Sequence, residues 1–290
     1  MKRHIADRMA KEQAENARLA KLVQQKKEQA GSFANKGGNM RKVAKKMRET
    51  AEQMEQEKVE VRREDKSLRP FEIPVQKDLS SSKVLHIHAV PLPMKNTNHY
   101  NHNNDKPKWV KLFAPVVVEK RTRMYLRGPN GSGKTSFLES IVSGRAEGFR
   151  LSEGVRVGYY QQALTLLEPD VTVLDSLTDA CQGSVSESGG EQYARKVAAS
   201  FLLTRDQVQQ RVGSLSEGQK GLLTFARLVL MEPGLLILDE PTNHINFRHL
   251  PAIASAVKSF QGALIVVSHD RQFVRNIDFD LELDLANLIT

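Results

Sequence analysis

Apolar residues in this chain gather into short runs separated by polar turns. "GLLILDE" (234–240) and "GALIVVSHD" (262–270) are continuously apolar up to their last residues. Runs of that length and continuity suit central parallel strands buried on both faces. "RMYLRG" (123–128) and "GVRVGYY" (154–160) read as further strands, and "KTSFLESIVSG" (134–144) as the helix that follows the first of them. Residues 172–212 have a mostly helical pattern, and "KVLHIHAV" (83–90) looks like an edge strand. Strands alternating with helices predict a layered α/β domain.

The first third of the chain has a different pattern. Residues 1–30 contain neither proline nor glycine and are rich in good helix formers, with a thin stripe of Ile5, Met9, Leu19, Leu22 and Val23. "AGSFANKGGNM" (30–40) interrupts, and a second helical stretch runs from about Asn39 to Arg63 with Met40, Val43, Met47 and Met54. The two predict an antiparallel helical hairpin whose stripe is too thin for a core, so it should project or lie on a partner. "SLRPFEIPVQKDLSSS" (67–82) places the boundary near residue 83, giving a hairpin over 1–83 and a folded domain over 84–290. "PMKNTNHYNHNNDKPK" (93–108) reads as a long surface loop.

Charge sharpens that division. Of a formal net charge of +9 over 290 residues, residues 1–77 carry +8, from 20 Lys and Arg against 12 Asp and Glu. Between Arg18 and Arg48 ten basic residues face one acid, Glu28. Such asymmetry points to a polyanion partner, against the plainer reading of a solvated helix face. No run of 18 or more apolar residues exists, and the N-terminus lacks the apolar centre of a secretory signal. Cys181 is the single cysteine, which rules out an intrachain disulfide and fits a reducing compartment. The expectation is a soluble cytoplasmic protein.

The chemistry concentrates at "RGPNGSGKTS" (127–136). It fits G-x-x-x-x-G-K-[ST], with Gly128, Gly133, Lys134 and Thr135 at the fixed places and Pro129, Asn130, Gly131, Ser132 and Ser136 completing the loop. Glycines let backbone N–H groups turn inward around phosphate oxygens, and the helix that follows points its positive end at them. Lys134 would reach the β- and γ-phosphates, and the Thr135 hydroxyl would bind Mg²⁺. Asp239, ending a buried strand, can hold Mg²⁺ through water. Glu240 could orient an attacking water, and His269 ends the next apolar run on the same edge of the sheet.

With "LSEGQ" (215–219) lying before "LLILDEPTNH" and "SHDR", the chain resembles the ATP-binding cassette ATPases. The resemblance makes 128–135 the Walker A loop, Gln162 in "VGYYQQ" the Q-loop glutamine, Leu215–Gln219 the signature, Asp239 and Glu240 the Walker B pair, and His269 the switch histidine. It assigns Ser216, Gly218 and Gln219 to the nucleotide and Gln162 to both Mg²⁺ and catalysis, and it leaves adenine stacking to Tyr100, His102 or Trp109 in the irregular loop upstream of the Walker A loop, with Tyr100 favoured. "EPTNH" is similar to the ABC-F subfamily. Its members have two cassettes without membrane domains, joined by a charged helical linker, and mostly act on ribosomes, where the linker reaches toward transfer RNA. The implied architecture is a P-loop cassette with a helical subdomain over about 163–225, preceded by the basic hairpin. The implied cofactors are ATP and Mg²⁺. The implied partners are a second cassette and the ribosome or RNA, with no membrane.

Three features depart from the family's pattern. Glu217 stands where the signature usually has glycine, and an acid beside a phosphate site should weaken anion binding unless its side chain points away. Asn246 stands where the family has aspartate. A single cassette supplies two unpaired half-sites, which implies self-association, another cassette, or a fragment of a longer protein. Two other readings share part of this pattern: the ATPase subunit of a membrane transporter, and a non-catalytic RNA-binding regulator with a vestigial cassette.

Overall fold

The computed structural model describes residues 23–25, 46, 50, 67–88, 90–92, 108–110, 115–144, 147–181 and 187–287. The chain divides into two units, Met1–Lys66 and Ser67–Thr290. The expected hairpin lies, but for a few positions, outside the described residues, as does most of the expected loop at 93–108.

The second unit is built on a five-stranded parallel sheet. Its strands are β5 (Arg123–Arg127), β7 (Val157–Tyr160), β8 (Leu235–Asp239), β9 (Ala263–Val267) and β10 (Leu281–Asp284), in the order β10-β5-β9-β8-β7. The apolar runs become β8 and β9, in which every residue is buried. Alternation along them explains why. Leu235, Ile237, Ile265 and Val267 face one core, and Leu236, Leu238, Leu264 and Val266 face the other. The first core is closed by α1 (Lys134–Ser143), through Phe137, Leu138 and Ile141. A three-stranded antiparallel sheet packs into the same core, formed by β1 (Lys83–Ile87), β4 (Val116–Glu119) and β6 (Phe149–Leu151). The second core is closed by α5 (Glu217–Met231) and α6 (Leu250–Ser259).

The helical stretch expected within 172–212 forms α2 (Val173–Ala180), α3 (Glu187–Ser200) and α4 (Arg205–Val208). Thr172 caps α2 and Thr204 closes a reciprocal capping box on α4, each satisfying N–H groups that a helix start leaves without partners. A short ribbon, β2 (Val90–Leu92) with β3 (Lys108–Val110), and a one-turn-and-a-half helix, α7 (Arg271–Arg275), complete the elements used below.

Two expectations differ from the structure. β1 is the central strand of its sheet, paired to β4 on one side and β6 on the other, with Val84, Leu85 and Ile87 fully buried. Pairing leaves no mark on the local pattern, and even the polar His86 sits half-buried within the strand. The compact unit also begins at Ser67, ahead of the boundary expected at residue 83. Residues 67–80 cross the domain as an extended strap without helix or strand. Leu68 and Ile73 enter the second core, Leu79 enters the first, and Phe71 meets Phe201 edge-on at 4.7 Å. Gln76 pins the strap, accepting from the Arg156 N–H at 2.8 Å and donating to the Gly154 carbonyl at 2.7 Å. At its start the Leu68 N–H donates to His249 Nδ1 at 3.2 Å.

Candidate nucleotide-binding site

The carboxyl ends of β5, β8 and β9 deliver the residues the sequence singled out to one edge of the sheet. Between β5 and α1 the chain turns through Gly128, Gly131 and Gly133, with φ of 151°, 78° and 89°. The last two lie in the left-handed region that only glycine enters without strain. A Cβ on Gly128 would come 2.6 Å from Ser132 Oγ, so a side chain there would force that hydroxyl to move. Gly133 caps α1 without a side-chain hydrogen bond, so the first-turn N–H groups have no side-chain cap. Ser132 Oγ is buried there with no hydrogen-bond partner. Lys134 Nζ spans the loop, donating to the carbonyls of Gly128 at 2.8 Å and Pro129 at 3.0 Å. A cavity of about 290 Å³ opens beside it, lined by Arg127, Gly128, Lys134, Ser268, His269 and Asp284 among others.

The remaining groups join this loop by direct contact. Thr135 Oγ1 donates to Asp239 Oδ2 at 2.8 Å. Asp239 and Glu240 are 1% and 5% exposed, which is unusual for acids and calls for partners. Glu240 Oε2 accepts from the His269 N–H at 3.1 Å, while its Oε1, 3.4 Å from His269 Nε2, makes no hydrogen bond. Glu240 is also one of five non-glycine residues with positive φ among the described residues (50°), a conformation that costs free energy and recurs where function dictates the residue.

ATP and Mg²⁺ fit this geometry. The loop offers inward N–H groups, an unpartnered buried hydroxyl and an ammonium to a chain of phosphates. Mg²⁺ takes oxygen ligands and retains waters, and Thr135 Oγ1 and Asp239 Oδ2 present two such oxygens side by side.

Burial pushes the carboxyls of both Asp239 and Glu240 above their ordinary range. The Thr135 hydrogen bond and Lys134 pull Asp239 part of the way back, and the His269 N–H and imidazole do so for Glu240. A carboxyl whose folded pKa is raised contributes stability while protonated, and that contribution is lost as pH rises through the folded value. Glu240→Gln has the same shape without the charge. It should therefore raise the thermal midpoint near neutral pH and lose that advantage in acid. Melts across that pH range check this, and equal midpoints at neutral pH would contradict it.

Other expected residues stand apart from this cluster. Gln162 is exposed beyond the end of β7. Its neighbour Gln161 is engaged instead, donating to Glu139 of α1 at 3.2 Å and accepting from Thr165 at 2.6 Å. Ser216 caps α5, and Gln219 returns the bond from the third helical position. Ser216, Gly218 and Gln219 thus sit at the head of α5, against the loop 241–249. Tyr100 lies outside the described residues. The departures also find local explanations. The Glu217 carboxylate is turned to His244, with Oε2 2.8 Å from Nδ1. Asn246 Oδ1 accepts from the Arg248 N–H at 3.1 Å, a local turn that aspartate would make equally. His244 was missed by the sequence reading, because nothing in the spacing marks it as the partner of Glu217.

This is the fold of an ATP-binding cassette. Residues 115–243 match the family described as ABC transporter. The chain has the fold of the ATP-binding cassette MJ0796, solved as a dimer in a post-hydrolysis state bound to ADP and Pi (TM-score 0.54, 16% identity, 69% of this chain and 96% of that one). Its relatives include proteins described as ATP-binding, one of them as a sub-family F member. It is 36% identical over 170 residues to "ATP-binding protein Uup" of Escherichia coli (strain K12), covering 58% of this chain and 26% of that protein. It is 36% identical over 164 residues to "Probable ATP-binding cassette sub-family F member 3 homolog" of Encephalitozoon cuniculi (strain GB-M1), covering 55% and 28%. The match thus spans under a third of the length of these relatives. Among the described residues, no helix is long and apolar enough to cross a membrane.

Proposed function

We propose that this chain binds and hydrolyses ATP at a site completed by a second cassette, and that its basic segment engages ribosomal or transfer RNA. The observation that carries the first part is the unbroken contact path from Lys134 through the loop, Thr135 and Asp239 to Glu240 and His269. Phosphoryl transfer to water needs positioning and charge compensation more than covalent chemistry. Lys134 and the loop N–H groups hold the phosphates, and Thr135 with Asp239 holds Mg²⁺, which offsets phosphate charge when bound. Glu240, fixed by His269, orients water, and its raised pKa suits a group that accepts a proton. Gln162 is assigned to sensing the γ-phosphate by resemblance alone.

The signature residues sit on a different helix from the phosphate loop, which supports their serving a facing cassette. Turnover per chain should then rise with protein concentration, or on adding a partner cassette. Specific activity that stays flat across a dilution series argues for a self-sufficient site and overturns that part.

The RNA reading rests on charge and on resemblance. If about five of the basic side chains between Arg18 and Arg48 touch phosphates, log affinity should fall against log salt with a slope of roughly −4 to −5. Replacing Lys42, Lys45, Lys46 and Arg48 together with Gln should flatten that slope and weaken binding, while ATPase without RNA persists. Filter binding to transfer RNA, or cosedimentation with ribosomes across a salt series, measures it. An unchanged slope removes the reading's support outside resemblance.

A further inference from the structure

Glu217 occupies the first helical position of α5, one residue past its Ser216 cap. The cap is reciprocal. Ser216 Oγ accepts from the Gln219 N–H at 3.3 Å, and Gln219 Oε1 accepts from the Ser216 N–H at 2.9 Å. It consumes the donors of Ser216 and Gln219 and leaves those of Glu217 and Gly218 at the helix start, with the positive end of the helix behind them. An anion arriving at that end would meet the Glu217 carboxylate as a like charge on the same turn.

The carboxylate is held elsewhere. Its Oε2 lies 2.8 Å from His244 Nδ1 on the loop that follows Glu240. That loop is fixed against α5 by backbone approach as well. A Cβ on Gly218 would stand 3.3 Å from the His244 carbonyl, and one on Gly221 would stand 2.6 Å from Ile245 Cδ1. Ile245 is buried, which anchors the loop beside the imidazole. The bond holds whether the ring is neutral, with its proton on Nδ1, or charged.

We propose that His244 is a positioning residue of the signature. It draws the Glu217 carboxylate off the N–H groups of Glu217 and Gly218, so that they can receive the terminal phosphate of ATP carried by a facing cassette. The proposal rests on the reading above that the signature closes a second cassette's site. It explains how a chain with an acid in this position can still serve a phosphate: the acid and its restraint come as a pair.

The test is a mutant cycle on the assembled protein, reading the ATP concentration for half-maximal turnover. His244→Ala frees the carboxylate and should raise that concentration on the order of tenfold, the equivalent of about 1.4 kcal/mol. His244→Gln, whose amide can still donate to Glu217, should restore most of it. In a Glu217→Gly background His244→Ala should have no further effect, because no carboxylate remains to be restrained. A purely structural histidine predicts the opposite, a double variant as impaired as His244→Ala alone. That result, or an unaffected His244→Ala, overturns the proposal. ATP binding to the chain's own loop, measured by calorimetry, should be equal in all variants. A wild type that binds ATP yet never turns over at any protein concentration would instead overturn the second-cassette reading, and does so without reference to the variants.

Discussion

Lys134→Ala is expected to weaken ATP binding by roughly a hundredfold or more, near 2.8 kcal/mol at 1.4 kcal/mol per tenfold. The ammonium sits inside the loop, bonded to the Gly128 and Pro129 carbonyls, where the phosphates would lie. Its removal takes away the one full positive charge the loop contributes, and a backbone cradle alone compensates little of a triphosphate's charge. The fold should survive. Lys134 is half-buried at the first turn of α1, and the helix is anchored by Phe137, Leu138 and Ile141 on its other side. Calorimetry with ATP and Mg²⁺ checks binding, and a thermal melt checks the fold. Equal affinity in the two proteins would mean that the loop holds something else.

Glu240→Gln should leave ATP binding intact and slow turnover by several hundredfold or more, about 3–4 kcal/mol of barrier. The Gln carbonyl can still accept from the His269 N–H, so the local geometry is kept. What goes is the capacity of Oε1 to take a proton or to orient a water as an anion. That oxygen is buried without a hydrogen bond in the protein, so its lone pairs are not engaged by another group. The same substitution should trap an ATP-bound assembly, visible as a larger species by sedimentation. Turnover at the wild-type rate would exclude Glu240 from the chemistry.

The central sheet and the phosphate loop were legible in the sequence for a physical reason. Strands buried on both faces admit no polar residue until they end, so β8 and β9 announce both themselves and the acids or histidine at their tips. The strap at 67–80 was not legible. Prolines at 70 and 74 and a serine run mark it as a linker, and its burial comes from single apolar residues spaced to reach two cores. β1 was misread because edge and centre differ in pairing, which no local pattern records. The Glu217–His244 pair was invisible for a similar reason. The departure was evident at Glu217, but its resolution lies on another element, brought near only by the packing of Gly218 and Gly221.

The bond between the Leu68 N–H and His249 Nδ1 joins positions 181 residues apart. His249 also closes the loop that begins at Glu240, through its own N–H to the Asn246 carbonyl at 2.8 Å. A displacement of Leu68 therefore passes directly to a residue nine positions from Glu240. Leu68 and Ile73, sunk in the core, keep the strap from paying out under load. The start of the strap and the loop after Glu240 are therefore linked parts of one unit, and neither shifts without straining the bond between them.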